Sequence, residues 1–220
     1  MSELRNRVLL ADDHPMLLEG LRKLLEPDFE IVGAVMGGRA LLEAAEILRP
    51  DLVIADIAMP GLDGLEATRR LKRTVPGMRV LILSVHAEPS WVRAAFEAGA
   101  CGYLTKASAA EEIGTAVREV LQGHFYVSPV VTRAVVAAEL PRDAPPAAPL
   151  PDGLGEPLTP RELAIVHLVG QGLGNKQIAG RLGVSVATVR SHLNKVYGKL
   201  GSESRIELAL LAARTGGAVM

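Results

Sequence analysis

Apolar positions along the first 128 residues follow two alternating rhythms. Val8-Leu9-Leu10-Ala11, Ile31-Val32-Gly33-Ala34-Val35, Leu52-Val53-Ile54-Ala55 and Val80-Leu81-Ile82-Leu83 are short runs bounded by polar groups. Such runs read as strands buried on both faces. Tyr103-Leu104 is a shorter fifth. Between them, apolar residues recur at helical spacing. Met16, Leu17, Leu21, Leu24 and Leu25 form one set, and Leu41, Leu42, Ala45 and Leu48 a second that stops before Pro50. Further helices are predicted over 65–71, over 91–98 closed by Gly99, and over 109–121 closed by Gly123. Strands alternating with helices of this length call for an α/β domain: a five-stranded, doubly wound parallel sheet covered on both faces.

The rhythm then changes. Residues 129–140 predict a helix through Val130, Val131, Ala134 and Val135. Six prolines with alanine and glycine fill 141–157 and cannot build a core, which makes an extended linker; a spacer is favoured over a ligand for an SH3-like partner. Residues 158–214 read as four short helices. Thr159-Pro160-Arg161-Glu162 supplies a cap, a proline at the first helical position and an early acid. Asn175 is the expected cap of the second helix, stopped by Gly183, and Ser185 caps a third that runs through Leu200. A helix, a short Gly-containing turn and another helix make a helix-turn-helix. The chain thus divides into an α/β domain over 1–128, a helix and Pro-rich linker over 129–157, and a small all-α domain over 158–220.

Charge sharpens this division. The net charge of −1 conceals +4 over residues 156–220, where eight basic residues face four acidic ones, leaving −5 for 1–155. A basic module joined to an acidic one suggests nucleic-acid binding. Cys101 is the single cysteine, which excludes intramolecular disulfides and thiolate metal clusters and fits a reducing compartment. Residues 1–5 carry no signal-peptide core, and no apolar run approaches the ~18 residues of a membrane span. The expected location is the cytoplasm, with no membrane partner.

Asp12, Asp13, Asp56, Ser84 and Lys106 all fall at or just beyond the C-terminal ends of predicted strands. In an open parallel sheet that edge is where ligands sit. Each residue alone reads as a cap, a turn residue or a solvated charge; together they make a site. A carboxylate trio suits Mg²⁺, an aspartate beside it can attack a phosphoryl group, and a hydroxyl and an ammonium can neutralise the developing charge.

With Leu10-Ala11-Asp12-Asp13-His14-Pro15, Asp56-Ile57-Ala58-Met59-Pro60 with Gly64, Leu83-Ser84 and Gly102-Tyr103-Leu104-Thr105-Lys106, residues 7–128 resemble the receiver domain of two-component response regulators. The resemblance implies a flavodoxin-like fold with Asp56 as phosphoacceptor. Asp12, Asp13 and Asp56 hold Mg²⁺ with the Ala58 carbonyl. Lys106 pairs with the phosphoryl group, Ser84 is the switch hydroxyl, and Tyr103 is the ring that swings with it. His14 is expected to be structural. Leu18 and Ala107 depart from the family pattern away from the phosphoryl site.

In the third C-terminal helix, Val189, Leu193, Val196 and Leu200 form a narrow stripe at ~100° per residue, as a buried seam should. Ala187, Arg190, Ser191 and Asn194 lie opposite, on the half that enters the major groove in helix-turn-helix proteins, where Arg and Asn suit guanine and adenine edges. Lys176, Thr188, Lys195 and Lys199 are expected to meet phosphates. Leu158-Thr159-Pro160-Arg161-Glu162, Gly172 to Ala179, Val184-Ser185, Thr188 to His192 and Lys199-Leu200-Gly201 resemble the LuxR-type DNA-binding domain. Gly198 departs from that pattern and predicts fraying at the C-terminal end of the helix.

The two resemblances together imply a response regulator of the NarL/FixJ type, a transcription factor rather than an enzyme, in which phosphorylation of Asp56 controls DNA binding. The implied partners are a sensor histidine kinase, double-stranded DNA, a second copy of the chain on activation, and RNA polymerase as a further candidate. The alternative is a phosphorylation-independent regulator whose receiver serves protein–protein contacts.

Overall fold

The computed structural model describes residues 5–139, 157–202 and 204–214. The chain forms two compact units, Met1–Tyr126 and Val127–Met220. In the first, β1 (Arg7–Ala11), β2 (Glu30–Val35), β3 (Leu52–Asp56), β4 (Arg79–Ser84) and β5 (Gly102–Thr105) alternate with α1 (Pro15–Leu25), α2 (Gly38–Leu48), α3 (Gly64–Thr74), α4 (Pro89–Glu97) and α5 (Ala109–Leu121). The sheet order is β2-β1-β3-β4-β5, with β6 (Tyr126–Val127) beyond β5. The pairs β1–β2, β1–β3, β3–β4 and β4–β5 are parallel. This is the doubly wound arrangement in which the carboxyl ends of the central strands open onto one crevice.

The strand runs are apolar because both faces of the sheet are covered. Val8, Leu10, Leu52, Ile54, Leu81, Leu83 and Leu104 pack with Leu18, Leu21 and Leu25 of α1 and with Ile113, Ala116, Val117 and Val120 of α5. Fully burying each such large aliphatic chain contributes about 1.5–3 kcal/mol. The sheet has six strands where the hydrophobic pattern predicted five. The sixth has only two residues, joined to the sheet edge through the Tyr126 N–H on the Cys101 carbonyl at 3.1 Å, and two residues carry no periodicity.

The second unit holds α6 (Pro129–Glu139), α7 (Pro160–Gly170), α8 (Asn175–Leu182), α9 (Val186–Leu200) and α10 (Arg205–Arg214). Ile165, Val166, Val169, Ile178, Val189, Leu193, Val196, Leu208 and Ala209 form its core, and Val136 of α6 joins them. The predicted helix after residue 128 is thus a packed element of this unit. Most of the Pro-rich stretch, 140–156, lies outside the described residues. The α7 helix starts on a reciprocal box: Thr159 Oγ1 accepts from the Glu162 N–H at 3.3 Å, and Glu162 accepts from the Thr159 N–H at 2.8 Å. The α8–α9 turn begins at Gly183, whose φ of +65° is the left-handed conformation that a glycine adopts without a Cβ clash. Ser185 caps α9, accepting from the Thr188 N–H at 3.0 Å. Where Gly198 predicts fraying, that helix is continuous to Leu200, and the seam of Val189, Leu193 and Val196 packs it on the core.

Candidate functional site

Asp56 ends β3, Ser84 ends β4, and Lys106 follows β5. Asp12 and Asp13 follow β1. Parallel register puts Asp56 beside Leu83 and Ser84 beside Thr105, so all five meet at one sheet edge. The turn after Asp56 doubles back tightly. A Cβ on Gly64 would stand 1.9 Å from the Asp56 carbonyl oxygen, so only glycine fits there. Asp63 then caps α3 by accepting from the Glu66 N–H at 2.8 Å.

The pocket is an ion-paired cluster in a largely buried setting. Asp12 is 1% exposed and Asp56 3%. The Lys106 ammonium donates to Asp56 Oδ2 at 2.7 Å and lies 2.8 Å from Asp12 Oδ2. Burial works to lower the pKa of Lys106, but its bonds to Asp12 and Asp56 outweigh that and hold it above the usual lysine value. Asp12, Asp13, His14 and Asp56 each bring a ligand atom within 4.8 Å of the others. His14 Nδ1 lies 3.0 Å from Asp12 Oδ1 and 2.7 Å from Asp13 Oδ1. Three carboxylates facing one ammonium and an imidazole leave a demand for cationic charge, and the oxygen donors suit a hard divalent ion. Ala58 sits exposed in the turn two residues beyond Asp56.

Ser84 and Tyr103 join this pocket to the segment before α4. Ser84 Oγ accepts from the His86 N–H at 3.1 Å. Tyr103 is fully buried, and its hydroxyl donates to the His86 carbonyl at 2.9 Å. Burial pushes the Tyr103 pKa up, keeping the phenol protonated as a donor. The His86 ring stacks on Trp91 with centroids 4.7 Å apart. Tyr103 and Ser84 thus grip the same residue from its two backbone ends.

On the second unit, the side of α9 opposite its buried seam carries Ala187, Ser191, Asn194 and Lys195 exposed and Arg190 half-buried. Lys176 is exposed near the start of α8. Thr188 is half-buried, its hydroxyl 2.8 Å from Ser185 Oγ. Lys199 departs from the expected phosphate-contacting set. Its ammonium donates to Glu162 Oε2 at 2.9 Å and to the Pro157 carbonyl at 3.3 Å, and its side chain is 17% exposed. The periodicity placed Lys199 by its type and position, but a buried carboxylate on α7 turns its charge inward. Glu162 has a pKa of about 2, held down first by the Thr159 N–H and further by Lys199. Asn175 also differs from expectation. Gly174 is the cap of α8, its N–H donating to Gln177 Oε1 at 2.9 Å, and Asn175 is the first helical residue. Its side-chain oxygen accepts instead from Arg205 at 2.9 Å.

Comparison with known proteins agrees with this geometry. Residues 8–118 match the response regulator receiver domain, and residues 156–212 match the bacterial regulatory proteins of the luxR family. The transcriptional activator protein ExaE of Pseudomonas putida is 38% identical over 212 residues, covering 95% of this chain and 96% of its own. The nitrate/nitrite response regulator NarL of Escherichia coli K12 is 35% identical over 205 residues, covering 92% and 93%. Among solved structures, RcsB, seen as two dimers bound to two parallel DNAs, is 25% identical, covers 96% of this chain and 98% of its own, and superposes with a TM-score of 0.57. Its two-unit order, its strand-end acidic pocket and these matches place the chain in the NarL/FixJ family of response regulators, transcription regulators that join a receiver to a LuxR-type DNA-binding domain.

Proposed function

We propose that Asp56 accepts a phosphoryl group from the phosphohistidine of a sensor histidine kinase, and that this modification controls sequence-specific DNA binding through α9. The observation that carries the reading is the Lys106 ammonium, bonded to Asp56 and in contact with Asp12 at the sheet edge. An Asp56 carboxylate oxygen forms the new bond to phosphorus as the donor's phosphorus–nitrogen bond breaks, the donor's electron pair leaving with the imidazole. Lys106 is in place to neutralise oxygens of the transferring group, and the Ser84 hydroxyl is in reach of the same edge. Asp12, Asp13 and Asp56, with the Ala58 carbonyl, are the residues that would hold Mg²⁺, which when bound supplies charge neutralisation for the transferred group.

On DNA, Arg190, Ser191, Asn194 and Ala187 face base edges, while Lys176, Thr188 and Lys195 face phosphates. One recognition helix reads few base pairs, so a homodimer on paired half-sites is the active form; the RcsB dimers on DNA support this. Intact-mass measurement after incubation with acetyl phosphate and Mg²⁺ tests the site: one added phosphoryl group is expected, absent in Asp56→Asn and without the metal. Sedimentation and DNA binding with and without beryllofluoride test the control. If neither oligomeric state nor DNA affinity responds, the phosphorylation-independent reading replaces this one.

A further inference from the structure

The α8 helix has eight residues, begins on a glycine with no side chain to cap it, and is too short to hold a direction by its own hydrogen bonding. Its pose comes from outside, and arginines sit at both of its ends. Arg161 of α7 donates to the Leu182 carbonyl at 2.8 Å, at the C-terminal end. Arg205 of α10 works at the N-terminal end. Its Nη1 donates to Asn175 Oδ1 at 2.9 Å, and its Nη2 donates to the Leu173 carbonyl. The guanidinium thus spans the residues on either side of Gly174, the cap. Arg205 is only 5% exposed, and among the described residues its acceptors are neutral oxygens.

A buried cation resting on neutral acceptors is poorly placed to stabilise by charge pairing. What the planar fork supplies is geometry: two donors in one rigid plane, aimed at a backbone oxygen and a side-chain oxygen two residues apart. Lys176, the next residue after Asn175, is exposed on the same turn. We propose that Arg205 is a positioning residue for DNA binding, locking the first turn of α8 so that the Lys176 ammonium is presented to the phosphate backbone. This rests on the reading of Lys176 as a phosphate contact, and the test separates the two.

The full-length protein is titrated with a labelled 30-base-pair duplex of random sequence across a salt series, because a phosphate contact shows in the slope of log K against log salt whatever the sequence. Lys176→Ala is expected to reduce the slope by about one. Arg205→Gln is expected to reduce it by the same amount, and the double variant by about one rather than two, since both remove a single contact. Arg205→Lys fails to restore the slope, because an ammonium cannot reproduce the fork. Asn175→Ala removes one of the two acceptors, keeps the arginine and its Leu173 carbonyl partner, and reduces the slope in part. Arg161→Gln loosens the far end of the same helix and leaves the slope as in the parent. An unchanged slope in Lys176→Ala overturns the Lys176 reading. Given a change there, three results overturn the role of Arg205: an unchanged slope in Arg205→Gln, additive losses in the double variant, or an equal loss in Arg161→Gln. Asn175→Ala keeps the proposal open to refutation where Arg205→Gln does not fold, since a parent-like slope in that variant also overturns it.

Discussion

The acidic pocket of the first unit and the recognition surface of the second use charge in opposite ways. In the pocket, the groups proposed to take part in phosphoryl transfer are mostly buried: Asp12, Asp56 and Ser84 are each 3% exposed or less, Lys106 is bonded to a carboxylate, and Asp13 is half-buried beside them. In the DNA-binding unit, the groups proposed to meet the ligand include exposed Ser191, Asn194, Lys195 and Lys176, while the buried charges Glu162 and Arg205 bond to the protein itself. The difference follows from the ligand. A phosphoryl group is small enough to enter a pocket, and burial strengthens each electrostatic contact with it. A DNA duplex is larger than the domain, so its contacts must be outside and the interior charges are left to hold the frame. Burial of a charge therefore points to reaction in one unit and to scaffolding in the other.

The sharpest break would come at Asp56. Asp56→Asn is expected to abolish phosphoryl incorporation while leaving the fold intact, since the amide is nearly isosteric. Lys106→Ala is expected to slow incorporation severely, and it leaves the Asp12 and Asp56 carboxylates without their shared cation. Time-resolved intact-mass measurement with acetyl phosphate reads both. Rapid labelling of Lys106→Ala would show that its ion pairs are scaffolding, as in the second unit, and the contrast would fail.

The contrast is next tested by two lysines on one helix. Lys199→Ala strands the nearly buried Glu162 carboxylate and is expected to cost about 3 kcal/mol of stability in the DNA-binding unit, read as a lower unfolding midpoint in urea. Its salt slope on DNA should stay at the parent value. Lys195→Ala, on the exposed face, should leave the midpoint alone and reduce the slope by about one. An exchange of these outcomes would return Lys199 to the phosphate contacts.

Acid provides a smaller lever on the same pair. The carboxyl of Glu162 has a folded-state pKa of about 2 against an ordinary value of 4.5. A depressed carboxylate contributes stability that is fully present above the ordinary value and is lost as pH falls from about 4.5 through about 2. Urea unfolding followed through signals of the second unit should show that decline. Glu162→Gln should start less stable and decline less over the same window. Parallel curves for the two proteins would remove Glu162 as the cause.

How much of this was legible in the sequence depended on distance along the chain. The strand-end residues were readable because each run stops at a marked position, and a parallel sheet brings every such stop to one edge. The exposed side of α9 was readable because a helix repeats every few residues. Tertiary partners were not. Glu162 meets Lys199 across 37 positions, and Arg205 meets Asn175 across 30, with no local pattern linking either pair. By type and neighbourhood alone, Lys199 reads as a phosphate contact and Asn175 as a cap. The same limit hid the two-residue β6.

The smallest expected effect concerns base reading itself. Arg190 is half-buried on the α9 side proposed to face DNA, one residue after Val189 of the core seam, with its Nε buried. Asn194 lies one turn further along and is exposed. A bidentate arginine–guanine contact is worth about 1–3 kcal/mol of discrimination, whereas a phosphate contact adds affinity with no preference. Arg190→Ala should therefore weaken binding to the preferred site by about 5- to 150-fold and relax preference at one base position. Selection of bound sequences from a random library, done in parallel for the parent and the variant, reads both quantities. Lys195→Ala in the same experiment should lower recovery of all sequences alike. If Arg190→Ala also shifts every sequence equally, its guanidinium belongs with the phosphate contacts, and base reading moves along the helix to Asn194 and Ser191.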